Sequence, residues 1–249
     1  MSPPKGDTDR SVAQKLQTGL YHVNTRFDRS AAMATHAPTP PPAPAPPATA
    51  PPNRRRTRGA QPQDLREHLL RTASALFYAR GVRAVGVDLV IQEAGVAKTS
   101  LYRHFPTKDD LIVAFLERED VEFWGSWDTV TAQHAGDPMG ELEAHMRWIG
   151  ERLARSNYRG CPQINVAAEF AEPDHPARHV SRKHMRALRA RLEALARGLN
   201  VARPQELGAQ LALLVNGAFV SSGLLAPEEA TDVLLASARA LCRAAGVSG

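Results

Sequence analysis

From Leu65 onward the apolar positions recur with helical spacing. Leu65, Leu69, Ala73, Leu76 and Phe77 form one stripe that Gly81 closes, which predicts a helix from about Pro62 to Arg80. Val87, Val90, Ile91 and Ala94 predict a second, short helix, and Gly95 follows where a helix end favours positive φ. Val96, Leu101 and Phe105 supply the apolar side of a third helix, leaving Lys98, Thr99, Tyr102, Arg103 and His104 for its other side. Pro106 cannot extend that helix. Thr107-Lys108-Asp109-Asp110 reads as the cap of a fourth, with acids in the first turn favoured by the helix dipole. Two short helices joined by a tight glycine turn form a helix-turn-helix unit, whose second helix enters the major groove of DNA.

Beyond residue 110 the pattern stays helical. Leu111, Ile112, Phe115, Leu116, Phe123, Trp124 and Trp127 continue the long fourth helix. Asp137-Pro138 starts another, with Leu142, Met146, Ile149 and Leu153 in register. Arg159-Gly160-Cys161-Pro162 is a break, and Pro162 suits a first helical position. Glu172 to Pro176 is a second break, with Asp174 as the expected cap. A long helix then runs to about Leu199, basic on its outer face at Arg182, Lys183, Arg186, Arg189 and Arg191. Two final helices are predicted over roughly Pro204–Leu224 and Pro227–Ala244. The fold class expected is all-α. A helix-turn-helix domain over residues 61–108 is followed by a helical regulatory and dimerisation domain over 109–249.

Residues 1–60 break the pattern. Pro38 to Pro52 is almost entirely Pro, Ala and Thr, too poor in apolar side chains to offset its ordering entropy, and predicts a disordered or polyproline-like arm. Met33 stands just before this stretch and is a candidate translation start. Two readings fit the basic run Asn53-Arg54-Arg55-Arg56-Thr57-Arg58: an arm that touches phosphate or the minor groove, or a solvated linker.

Charge changes the picture next. Residues 53–110 hold 11 Lys and Arg against 6 Asp and Glu, while residues 111–249 hold 15 against 17. The excess therefore sits on the part expected to face phosphates, although charge alone also fits a merely basic surface. No apolar run is long enough to span a bilayer and no signal-peptide pattern appears. Two cysteines, Cys161 and Cys242, are too few for a disulfide framework or a four-thiolate zinc site, and a reducing cytoplasm is the expected compartment.

Leu65 to Leu116 resembles the DNA-binding domain of the TetR/AcrR family of bacterial repressors. The segments that carry the resemblance are LLRTASALFYARG (69–81) and IQEAGVAKTSLYRHFPTKDDLI (91–112), together with their spacing. The resemblance implies that Tyr102 and His104 approach the DNA backbone or a thymine methyl and that Lys108 contacts phosphate. Lys98, Thr99, Ser100 and Arg103 are then the candidates for base readout. A local backbone hydrogen bond is the competing role for Ser100, and partial core packing for Tyr102. Two positions depart from the family. Gly86 and Ala97 stand where Ser or Thr usually caps the two short helices, which removes a cap worth about 1 kcal/mol at Ala97.

The resemblance also implies a homodimer reading a palindromic operator, a small-molecule effector in the regulatory domain, and repression released by that effector. The last two helices are the expected dimer surface. Gly208, Ala212, Val215, Gly217 and Ala218 permit close approach, and Leu211, Leu214, Phe219, Leu234, Leu235 and Leu241 add area; an intrachain core fits the same residues. Trp124, Trp127, His145, Met146, Trp148, Ile149, Asn165, Glu169 and Phe170 mix aromatic, apolar and polar groups as ligand pockets do, and equally fit plain core. Cys161 near a helix start is a candidate pocket residue and redox sensor, or a small buried thiol. His175 and His179, near Glu172 and Asp174, fit a turn and cap better than a metal site. No nucleophile elbow, Gly-rich phosphate loop or metal-ligand quartet occurs, so no catalytic residue, metal or cofactor is expected. The alternative to a ligand-responsive repressor is an effector-independent architectural DNA-binding protein or a transcriptional activator.

Overall fold

The structure, a computed structural model, describes residues 62–221 and 224–247. The expectations for the Pro/Ala-rich arm, for Met33 and for the basic run at 53–58 lie outside the described residues. Every regular element described is a helix: α1 Pro62–Arg80, α2 Val87–Ala94, α3 Lys98–His104, α4 Lys108–Gln133, α5 Pro138–Leu153, α6 Pro162–Glu169, α7 Pro176–Gly198, α8 Pro204–Val220 and α9 Pro227–Ala244.

The first three helices and the start of α4 enclose one core. Leu69, Leu70, Ala73 and Phe77 of α1 are buried against Val90, Leu101, Phe105, Leu111 and Phe115. Periodicity places Leu65 and Leu76 on this stripe, but both are only half-buried, and Leu70 takes the deeper position. Gly95 ends α2 at φ 65, a left-handed conformation that glycine adopts without a Cβ penalty, and its N–H bonds back to the Ile91 and Gln92 carbonyls. Phe105 leaves the helical region at φ −136, and Pro106 follows, so α3 is held to two turns.

The long helix α4 opens with a complete capping box. The Thr107 side chain accepts from the Asp110 N–H, and the Asp110 side chain accepts from the Thr107 N–H. At 1.5 Å per residue its 26 residues reach about 39 Å, enough to serve two cores. Leu111, Ile112, Phe115 and Leu116 pack into the first core, and Phe123 and Trp127 into the second.

That second core is built by α5, α7, α8 and α9. Buried Leu142, Met146 and Ile149 of α5 meet Leu188 and Leu192 of α7, Leu211 and Val215 of α8, and Leu234 and Ala238 of α9. Two glycines permit the closest approaches. A Cβ on Gly208 would lie 2.7 Å from the Glu193 Cα, and one on Gly150 would lie 2.7 Å from the Thr231 Cα. Gly208 therefore serves the α7–α8 contact within one chain. Leu211, Ala212, Val215, Ala218, Phe219 and Leu234 are likewise buried in this core, so the faces expected to meet a partner are filled from inside.

One cap differs from the sequence expectation. His175, not Asp174, caps α7: its Nδ1 accepts from the Ala177 N–H at 3.2 Å, while its ring stacks on Phe170 at 3.6 Å between centroids. The side chain nearest the first free N–H takes the cap, and Pro176 fixes His175 in that place. α8 also ends at Val220, four residues before the predicted end.

Candidate nucleic-acid interface

α3 carries a two-sided design. Leu101 is fully buried and Phe105 nearly so, with the Arg66 guanidinium 5.0 Å above the Phe105 ring. Those anchors fix the rotation of the helix about its axis. Lys98, Thr99 and Arg103 are consequently exposed, Tyr102 is 39% exposed, and Ser100 and His104 are half-buried. Lys108 stands half-buried at the first position of α4. The neighbouring end of α2 is held by His68, whose Nε2 donates to the Ala94 carbonyl at 2.9 Å.

Electrostatics on this face are only partly compensated. Lys98 Nζ donates to Asp88 Oδ1 at 3.0 Å, and that carboxylate holds the ammonium above its ordinary pKa. Such an exposed pair is weak, so a phosphate can replace the carboxylate at small cost. Burial pushes the Lys108 ammonium down, and the Glu169 carboxylate opposes that shift. Neither Gly86 nor Ala97 provides a side-chain cap, which leaves N–H groups at both short helices without a local acceptor.

A second set of contacts joins this head to the rest of the chain. Glu169 at the end of α6 accepts from the Val82 N–H at 3.1 Å and the Arg83 N–H at 2.8 Å. The Tyr78 hydroxyl donates to the Gly160 carbonyl at 3.3 Å and accepts from the Arg159 N–H at 2.9 Å. Val166, Phe170 and Ala177 complete the first core from the far side. Sequence reasoning placed Glu169 and Phe170 in a pocket and passed over Tyr78. A phenol off the apolar stripe of α1 was the available signal.

The residues expected to line one pocket are distributed instead. Trp127, His145, Met146 and Ile149 are packed in the second core, with His145 stacked on Trp127 at 3.7 Å between centroids. Trp124 is half-buried under the Arg191 guanidinium. Glu169 and Phe170 belong to the head joint. Asn165 is exposed, and its Nδ2 donates to the Arg159 carbonyl at 2.7 Å. Cys161 is a buried free thiol at the N-cap of α6, close enough to His184 to raise that ring's proton affinity. Among the described residues no group of His, Cys, Asp and Glu is arranged to hold a metal ion, and no helix is long and apolar enough to cross a membrane.

Residues 69–115 match the family model described as bacterial regulatory proteins, tetR family. The chain is 32% identical over 126 residues to the transcriptional regulator AcuR of Cereibacter sphaeroides, a match covering 49% of this chain and 58% of that protein. It is 27% identical over 137 residues to the transcriptional repressor NemR of Escherichia coli, covering 54% of this chain and 69% of the repressor. Among solved structures, SCO4454, a TetR-family transcriptional regulator from Streptomyces coelicolor, superposes with a TM-score of 0.70 at 29% identity. That superposition covers 74% of this chain and 96% of the other.

Proposed function

This chain is a TetR-family transcriptional regulator, and from that premise we propose that it is a homodimeric repressor. In this reading α3 enters the major groove of a palindromic operator, and a small molecule bound in the regulatory body, residues 109–249, releases it. The observation that carries the reading is the division of α3. Leu101 and Phe105 are locked in the core, and Lys98, Thr99, Tyr102 and Arg103 stand outside on one short helix. Lys98, Thr99, Ser100 and Arg103 read base edges, while Tyr102, His104 and Lys108 hold the backbone. The joint through Tyr78 and Glu169 supplies the mechanical link, because a shift of α6 or of the Arg159–Gly160 segment moves α1 and with it the reading helix.

The test is capture of sheared genomic DNA by the purified chain, repeated with Tyr102→Ala and Lys108→Ala. A short palindrome should be enriched by the parent chain. Both variants should bind it more weakly while keeping their oligomeric state, and loss of the Lys108 phosphate contact in each of the two protomers should flatten the salt dependence by about 1.8 in slope. Unchanged affinity in both variants would remove this face as the interface. Retention without sequence preference would favour an architectural role.

A further inference from the structure

Two adjoining cavities lie between the head and the body. The outer one, about 310 Å³, is bordered by Arg71, Ser74 and Tyr78 of α1, by Arg118 of α4, and by Arg155 and Asn157 at the end of α5. The inner one, about 20 Å³, is bordered by Cys161, Gln163, His184 and Phe219. Glu119, Phe123, Arg152 and Tyr158 border both, so the same four side chains stand between or around the two spaces. The outer volume is at the small end of ligand pockets, which run from roughly 300 to 1,000 Å³. The inner one admits a single oxygen-sized atom.

Buried polar atoms without a partner converge on this space. Ser74 Oγ, Arg152 Nε, Gln163 Oε1 and His184 Nε2 are each buried and unpaired, and all four belong to residues bordering the cavities. Gln163 is 1% exposed and His184 2%. Such groups are costly to leave unsatisfied, so their gathering marks a place where something else supplies the partner. A larger cavity, about 400 Å³, lies beneath Gly81 and makes no such demand. Its polar residues Tyr78, Asn165 and Glu169 already have protein partners.

The unpaired groups are mostly donors. Arg152 Nε–H is cationic. His184 gives its Nδ1–H to Asp120 Oδ1 at 2.6 Å. Burial works against charge on that ring, but the Asp120 carboxylate and the nearby Cys161 sulfur prevail and carry its pKa to about 9, so Nε2 also bears a proton at neutral pH. Arg71 and Arg155 add positive charge at the mouth. Of the acids there, Glu122 is paired with Arg118, and burial, then Glu122, push Glu119 up.

We propose that these cavities form the effector site of the regulator and that the effector is a small monocarboxylate. Its carboxylate binds Arg152, with one oxygen entering the inner space toward the His184 Nε2–H. Its short apolar or single-ring body lies against Phe123 and Tyr158. The proposal rests on the regulator reading and deepens it: α1 supplies one wall, so an occupant bears directly on the helix that holds the reading head.

The experiment uses the full chain at neutral pH. Thermal unfolding is followed with monocarboxylates from acetate to decanoate and from benzoate to naphthoate, each beside its primary amide. At least one acid should raise the melting temperature and its amide should not. Arg152→Gln should bind that acid about tenfold to a hundredfold more weakly, the loss of one charge-assisted hydrogen bond. Arg147→Gln, at an exposed pair with Glu143, should leave binding unchanged. If Arg152→Gln fails to fold, histidine-selective ¹⁵N labelling gives a reading without a variant, because the acid should shift the His184 ring signals and the amide should not. No stabilisation by any acid, equal stabilisation by the amides, or unmoved His184 signals would overturn the site. Specific DNA is retained or lost in the same preparations. Retention with no carboxylate response overturns the site alone, whereas a carboxylate response without any DNA binding overturns the regulator reading and leaves the site standing.

Discussion

His184 and His145 are both buried in the body, and their surroundings push them in opposite directions. Around His184, burial is outweighed by the Asp120 carboxylate and Cys161, and the pKa rises to about 9. Around His145, burial prevails over the Glu141 carboxylate 3.3 Å away, and the pKa falls to about 4. A folded pKa above the unfolded value of 6.5 means that His184 contributes stability fully below pH 6.5 and loses it as pH rises through about 9. The reverse holds for His145: its contribution is present above pH 6.5 and is lost as pH falls through about 4. Urea unfolding of the parent chain and of Asp120→Asn across this range separates the two. The parent's advantage should be full at and just below pH 6.5 and shrink toward pH 9, while both chains lose the His145 contribution as pH falls toward 4. Parallel curves above pH 6.5 would show that the Asp120–His184 pair carries no charge.

Among the elements, what depends on neighbours in sequence was legible. The Pro-started helices α5, α6 and α7, the Gly95 turn and the Thr107–Asp110 box follow from one to four adjacent residues, so reading them needed no tertiary knowledge. Helix α3 was legible for the same reason, because Leu101 and Phe105 fix its orientation from four residues apart. The pocket was not. Trp127, Met146 and Ile149 carry the composition of a pocket wall, but whether an aromatic stripe lines a void or fills one is decided by how α4, α5 and α7 meet. Arg152, Gln163 and His184 come from three helices and gave no pattern in sequence. The weak caps at Gly86 and Ala97 were visible, and they are testable. Ala97→Ser should stabilise the chain by about 0.5–1 kcal/mol by giving α3 the side-chain acceptor it lacks. Thr107→Ala should cost about 1 kcal/mol by breaking the α4 box. Denaturation midpoints at constant m-value check both, and a destabilised Ala97→Ser would mean that the serine hydroxyl cannot reach the α3 N–H groups.

For the whole molecule, the homodimer proposed above turns on which surface would meet a second copy. The inward faces of α8 and α9 are consumed by the chain's own core, but α8 leaves an outward stripe. Leu213 is 74% exposed and Val220 60%, with Gly217 exposed between them and Leu224 76% exposed just beyond the helix end. The three helical positions are spaced by four and three residues, as one helical face requires. A groove of about 500 Å³ beside them is floored by Ile164, Ala167 and Met185. On α9, Val233, Ala236, Ala240 and Ala244 leave a second exposed apolar row of small residues. Contiguous exposed apolar area of this kind marks an interface more often than a free surface. A charge at its centre should then be decisive. Leu213→Glu or Val220→Glu should weaken self-association by about 2–4 kcal/mol, roughly thirtyfold to a thousandfold in the dimer dissociation constant. Sedimentation equilibrium should show monomers at concentrations where the parent chain is dimeric. The head is untouched, so weak, salt-sensitive binding to any duplex should persist. Affinity for a two-half-site operator should fall, because each half-site is then held alone. If both variants stay dimeric and bind the operator as the parent does, the partner surface lies elsewhere, and the exposed stripe of α8 must be assigned to a different contact.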